Sequence, residues 1–185
     1  MIAGRVNKHG PALAPNMESP FQNVLVQKLA GFLNEIGLEV APGTLARETF
    51  LPGIEVEAGR LIVDEAQLLY PGDLLHEAGH LAVMPSPMRR ALHGELLDTG
   101  EDMTMLEVAA IAWSYAACLH LEIDPQVVFH PAGYQGKAAA LRLSFQFGVY
   151  PGANQLQAAG LTLSREQAQA RGQQPFPKMV KWVRD

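Results

Sequence analysis

Pro71-Gly72-Asp73-Leu74-Leu75-His76-Glu77-Ala78-Gly79-His80-Leu81-Ala82-Val83-Met84-Pro85 is the stretch that decides the fold. Pro71-Gly72 punctuates the chain, Asp73 offers a helix N-cap, and Pro85 and Pro87 end the helix that follows, so a short helix is expected from Asp73 to about Met84. Within it His76 and His80 stand four residues apart, which on a helix puts them on one face with Cβ atoms about 5 to 6 Å apart. Both imidazoles can then reach one metal ion. Glu77 projects about 100° further around the helix, too far to compete as a ligand yet near enough to contact water beside the ion. That is the mechanical content of the His-Glu-x-x-His pattern. The neighbours Leu74, Leu75, Ala78, Leu81, Ala82 and Val83 are apolar, which leaves little solvated face on which these three groups could sit idle.

Two histidines leave a four-coordinate zinc short of a third protein ligand and a water. Glu107 is the best candidate, because from Met103 to Leu121 it is the only formally charged residue in a helix that is apolar nearly all round. An isolated buried carboxylate is costly without a partner, and a metal would be one. The competing reading makes Thr104-Met105-Leu106-Glu107 a capping box, with Glu107 turned back to the helix start. Asp98, Glu101 and Asp102 are weaker ligand candidates, better read as ordinary solvated charges.

Outward from these helices the chain reads as one α+β, mostly helical unit. Residues 1–19 are proline-rich and aperiodic, a flexible N-terminal arm, and residues 20–185 form a single domain. Ser19-Pro20 looks like a helix N-cap and first turn, and Val24, Leu25, Leu29, Phe32, Leu33 and Ile36 recur at helical spacing up to Gly37. Ile54 to Asp64 alternates around Ala58-Gly59-Arg60, a small antiparallel β-hairpin or sheet beside the two helices. Further helices are expected at 137–147, 152–159 and 164–171, the last opened by Ser164 with Gln167 in a capping-box pattern. Met179, Val180, Trp182 and Val183 suggest a tail that docks.

At 185 residues the chain is long enough to bury about 70% of its unfolded surface, so a metal is not needed merely to hold it together. The net charge of -5 argues against general nucleic-acid binding. All of it lies between His93 and Glu107, which hold five acids and no lysine or arginine. The longest uncharged apolar stretch, Val108 to Leu121, has 14 residues, short of the roughly 20 needed to span a membrane. The first residues lack the continuous apolar run of a secretory signal, and the single Cys118 cannot form an intramolecular disulfide. A cytoplasmic protein is expected.

His76-Glu77-x-x-His80 with a glutamate on a following helix resembles the gluzincin branch of the zincin metallopeptidases. Glu107-x-x-Ala110-x-x-Trp113-Ser114-Tyr115-Ala116 is similar to the compact minigluzincins and ImmA/IrrE-type members, and the resemblance covers about residues 54 to 121. It implies a zincin-like core, zinc bound by His76, His80 and Glu107, Glu77 as general base, and an edge strand of the hairpin pairing with an extended peptide. The chain departs from the pattern at Ile111, where many gluzincins place a carboxylate that supports a zinc-bound histidine. It also has only about one helical turn before His76, and residues 1–53 show no clear helix-turn-helix. Metzincins extend the motif with glycine and histidine where Val83 and Ser86 stand here, and peptide deformylase takes an upstream cysteine.

The chemistry implied is that of a zinc-dependent hydrolase, most plainly a peptidase acting on a polypeptide: zinc acidifies its water, Glu77 accepts the proton and delivers it to the leaving amine. The oxyanion needs a donor besides the metal. His130 and Tyr134, in the Gly/Pro-rich loop after the ligand helix, are the candidates, with Tyr115 and Tyr150 behind them. His9, His93 and His120 are read as non-ligands. The alternative is a metal-binding regulatory or interaction protein of the same shape with little or no turnover; a non-peptidase hydrolase is a third option.

Overall fold

The computed structural model describes residues 19–94 and 102–185, so most of the expected N-terminal arm, His9, Asp98 and Glu101 lie outside the described residues. The first helix, α1 (Val24–Glu35), buries Leu29, Phe32 and Leu33 of the expected stripe together with Val26 and Ala30, whereas Leu25 and Ile36 are half-buried and Val24 is exposed. It starts later than expected. Asn23, not Ser19, is the cap, its side-chain oxygen accepting from the N–H groups of Leu25 and Val26. The reason is distant in sequence: the Glu65 carboxylate accepts from the Gln22 and Asn23 amides at 2.8 and 2.9 Å, which holds that stretch off the helix.

Three short strands, β1 (Val40–Pro42), β2 (Ile54–Glu57) and β3 (Arg60–Val63), form one sheet in the order β1-β3-β2. β2 and β3 are the expected antiparallel hairpin, turning through Ala58 and Gly59 at φ 52° and 76°, as a two-residue turn of this hand requires. The sheet is mixed, however, because β1 runs parallel to β3. The outer side of β2 is also partly taken by the chain itself: Gly94 donates its N–H to the Val56 carbonyl at 2.8 Å.

The motif helix, α2 (Asp73–Val83), begins three residues before His76. Gly72 occupies the cap position, and Asp73 is the first helical residue instead of the cap. A Cβ on Gly72 would lie 2.0 Å from the carbonyl oxygen of Val127, so only glycine lets the helix start abut that segment. Pro85 ends α2 as expected, but Pro87 opens another helix, α3 (Ser86–Ala91), where a proline in the first turn is tolerated.

The long helix α4 (Asp102–His120) is apolar nearly all round and lies against α2. Their closest approach is at Gly79, whose absent Cβ would sit 2.9 Å from the Ala110 carbonyl oxygen. The buried Ser114 hydroxyl lies 2.7 Å from that oxygen and 3.1 Å from the Leu75 carbonyl on α2, linking the two helices. Glu107 and the histidine pair are thereby set face to face.

Helices α5 (Ala138–Gln146), α6 (Ala153–Ala158) and α7 (Arg165–Arg171) follow, and Ser164 with Gln167 forms the expected capping box. The tail docks. Trp113 donates its indole N–H to the Trp182 carbonyl at 2.8 Å, and Arg184 its amide to Ala82 on α2. Among the described residues no helix is long and apolar enough to cross a membrane.

Candidate metal centre

His76 and His80 project from one face of α2, and Glu107 faces them from the second turn of α4. The Nε2 atoms of the two histidines are 3.1 Å apart, and Glu107 Oε2 is 3.1 Å from His80 Nε2 and 3.7 Å from His76 Nε2. A tetrahedral ion with ligands at 2.0 to 2.1 Å separates them by about 3.3 to 3.4 Å. The triangle brackets that value, and these three residues can all offer one ligand atom to a common ion. α4 begins at Asp102, so Thr104 lies inside the helix and cannot be its cap; Glu107 turns to the histidines.

The donor set suits a cation. Burial, followed by the neighbouring His80, pushes the His76 imidazole down to about 4, so it is neutral near pH 7. Two facing imidazole nitrogens can share only one proton between them, whereas a cation satisfies both lone pairs. Burial alone would raise the Glu107 carboxyl, but the hydrogen bond from His80 and the electrostatic pull of the two imidazoles outweigh it and hold it below the ordinary glutamate value. Its side chain remains 42% exposed, toward the cleft.

That cleft, about 980 Å³, collects His76, Glu77, His80, Glu107, His130 and Tyr134. Comparison with family models, with curated proteins and with solved structures finds no match to this chain. Its chemistry therefore rests on the residues themselves.

Of the two oxyanion candidates, Tyr134 places its hydroxyl 3.3 Å from His76 Nδ1, the ring nitrogen opposite the one that faces the triad. Burial raises its phenol, which stays protonated. His130 Nε2 is 2.9 Å from Asp73 Oδ1, with both side chains buried and the Tyr70 ring stacked on the imidazole at 3.9 Å. Tyr70 and Asp73 also line the cleft; the sequence did not single out Tyr70 and read Asp73 only as a helix cap. A signal existed for Asp73, which precedes His76 by three and Glu77 by four residues and so shares their helix face. Burial raises the Asp73 carboxyl and His130 partly offsets this.

Tyr115 and Tyr150 pack instead with Phe145, away from the residues of the cleft. His120 sits against Phe32 and Trp182, and His93 bridges Glu57. Cys118 is buried, its thiol pushed up to about 12.

Proposed function

We propose that this chain is a zinc-dependent hydrolase with a zincin-like, gluzincin-type core, acting on amide bonds of a polypeptide. The observation that carries the proposal is the triangle of His76 Nε2, His80 Nε2 and Glu107 Oε2, with edges of 3.1, 3.1 and 3.7 Å, beside Glu77 on the wall of an open cleft. His76, His80 and Glu107 would hold the ion. Bound there, zinc supplies Lewis acidity and lowers the pKa of a water toward about 7.

Glu77 takes a proton from the attacking water and returns it to the leaving nitrogen, the work of a general base that becomes a general acid. His130 lines the cleft with its Nε2 engaged by Asp73 Oδ1 and its Nδ1 buried, so it donates to a developing oxyanion only if the Nε2–H turns away from Asp73. A cytoplasmic location is part of this reading, supported by a single cysteine that is buried and unpaired.

One observation favours the alternative of a metal-binding regulatory or interaction protein. Gly94 already bonds the outer side of β2 at Val56, so part of the edge that an extended peptide would use is covered.

Elemental analysis of the purified protein, with hydrolysis of an unfolded polypeptide, separates the readings. Glu77→Gln should retain zinc while turnover falls by about 10²- to 10⁴-fold. Equal turnover in that variant sinks the mechanism, zinc without turnover in the unaltered chain favours the regulatory reading, and absence of any metal refutes both.

A further inference from the structure

We propose that Tyr134 is a positioning residue for the ligand His76, taking the place that a carboxylate on the ligand helix would otherwise fill. This rests on the metal-site reading above and goes beyond it, since the site's three donors say nothing of what orients them. A metal-bound histidine almost always gives its second ring N–H to an acceptor, which fixes both the tautomer and the ring angle. Here the triad uses His76 Nε2, and the partner given to Nδ1 is the Tyr134 hydroxyl at 3.3 Å. The two rings meet edge to face, 82° apart with centroids 5.3 Å apart.

Position 111, one turn after Glu107, is a buried isoleucine packed in the core. The Asp73 carboxylate, one turn before His76, is engaged by His130. The hydroxyl therefore comes from a loop 58 residues away.

That loop is held in a costly shape. Tyr134, Gln135 and Gly136 have φ of 57°, 51° and 78°. The left-handed region is sterically unfavourable for a residue with a side chain, and such strain persists only where the surroundings over-determine it. Two successive non-glycine residues accept it here. The turn is closed by the Lys137 amide donating to the Tyr134 carbonyl at 2.9 Å, and Phe129 packs against the Tyr134 ring. The result is a phenol aimed at one imidazole nitrogen. His80 differs, because its Nδ1 is buried without a partner among the described residues.

With Nδ1–H donated to the phenol oxygen, the Nε2 lone pair of His76 faces His80 and Glu107. Without the hydroxyl, His76 is free to take the other tautomer and to turn.

The test is zinc affinity of Tyr134→Phe, measured by competition with a chromophoric chelator, with the visible spectrum of the cobalt(II)-loaded protein as a second readout. The expected result is zinc binding weakened by about 10- to 100-fold and an altered cobalt spectrum, while the metal-free variant keeps the far-ultraviolet circular dichroism of the parent. Unchanged zinc affinity and spectrum overturn the proposal; if turnover alone falls, the hydroxyl serves the substrate instead. Should the variant not fold, the zinc-loaded parent decides by NMR: the His76 Nδ1–H proton should be slow to exchange and show a nuclear Overhauser contact to a tyrosine ring. Absence of that contact overturns the proposal as well. A parent protein that takes up neither zinc nor cobalt refutes the metal-site reading itself, a different outcome from a parent that binds and a variant that binds equally.

Discussion

His76 is buried as a neutral group, and that choice has a consequence in acid. Its folded value is about 4 against 6.5 for an unhindered imidazole, the depression caused first by burial and then by His80. Between those values the unfolded chain takes up a proton that the folded chain refuses, so stability falls as pH drops from about 6.5 to 4. Glu107 acts in the same direction at lower pH. Its folded value lies below the ordinary 4.5, so its contribution is present above that value and lost as pH falls through the folded one. Asp73 opposes them: its raised folded value makes its contribution complete below 3.8 and lost as pH rises through the folded value. A shift of this size at His76 amounts to about 3 kcal/mol. Urea unfolding of the metal-free protein should therefore show a loss of about that size between pH 6.5 and 4, and replacing His76 by Asn should flatten the slope. A level profile in the parent would mean that the imidazole is not held neutral.

The contact between α2 and α4 decides whether the three proposed ligands meet, and it depends on Gly79. Giving a helical glycine a side chain gains up to about 1 kcal/mol in helix propensity, while overfilling a packed contact costs about 1 to 3 kcal/mol. A Cβ at position 79 would lie 2.9 Å from Ala110 O and 3.2 Å from Ser114 Oγ. Alanine is therefore near balance, but Gly79→Val forces the helices apart. It should lower stability by about 1 to 3 kcal/mol and weaken zinc binding by carrying Glu107 away from His80; thermal melts and chelator competition check both. These two helices were legible in the sequence because their signals are local: an i, i+4 histidine pair between prolines, and one charge in the otherwise uncharged run from Met103 to Leu121. The β2–β3 alternation and the Ser164 capping box were legible for the same reason. β1 escaped because three residues ending in proline carry no period, and α3 because Pro87 reads as a stop when it is a start. Asn23, Asp73 and Tyr134 have roles fixed by Glu65, His130 and His76, partners 42, 57 and 58 residues away. No local pattern encodes such pairings.

At the scale of the whole molecule, the question is whether the ion would make the fold or clamp it. α2 is held without a metal by apolar burial on its inner face, by Ser114 against Leu75, and at its end by Arg89. The Arg89 guanidinium donates to the carbonyls of Leu81, Met84 and Arg184 at 3.1 to 3.2 Å, tying the helix end to the docked tail. A chain of 185 residues with a core running from Phe21 to Phe176 has enough burial to fold alone. A ligand that binds only the folded state then adds stability by mass action, about 4 kcal/mol at a thousand times its dissociation constant. For a domain of this length each kcal/mol moves the melting temperature by about 2 to 4 °C. Stripping zinc with a chelator should thus lower the melting temperature by about 8 to 16 °C while leaving the helical circular dichroism at 25 °C unchanged. Loss of helicity on chelation would instead make the metal a condition of folding, and an unmoved melting temperature would mean that no ion joins α2 to α4.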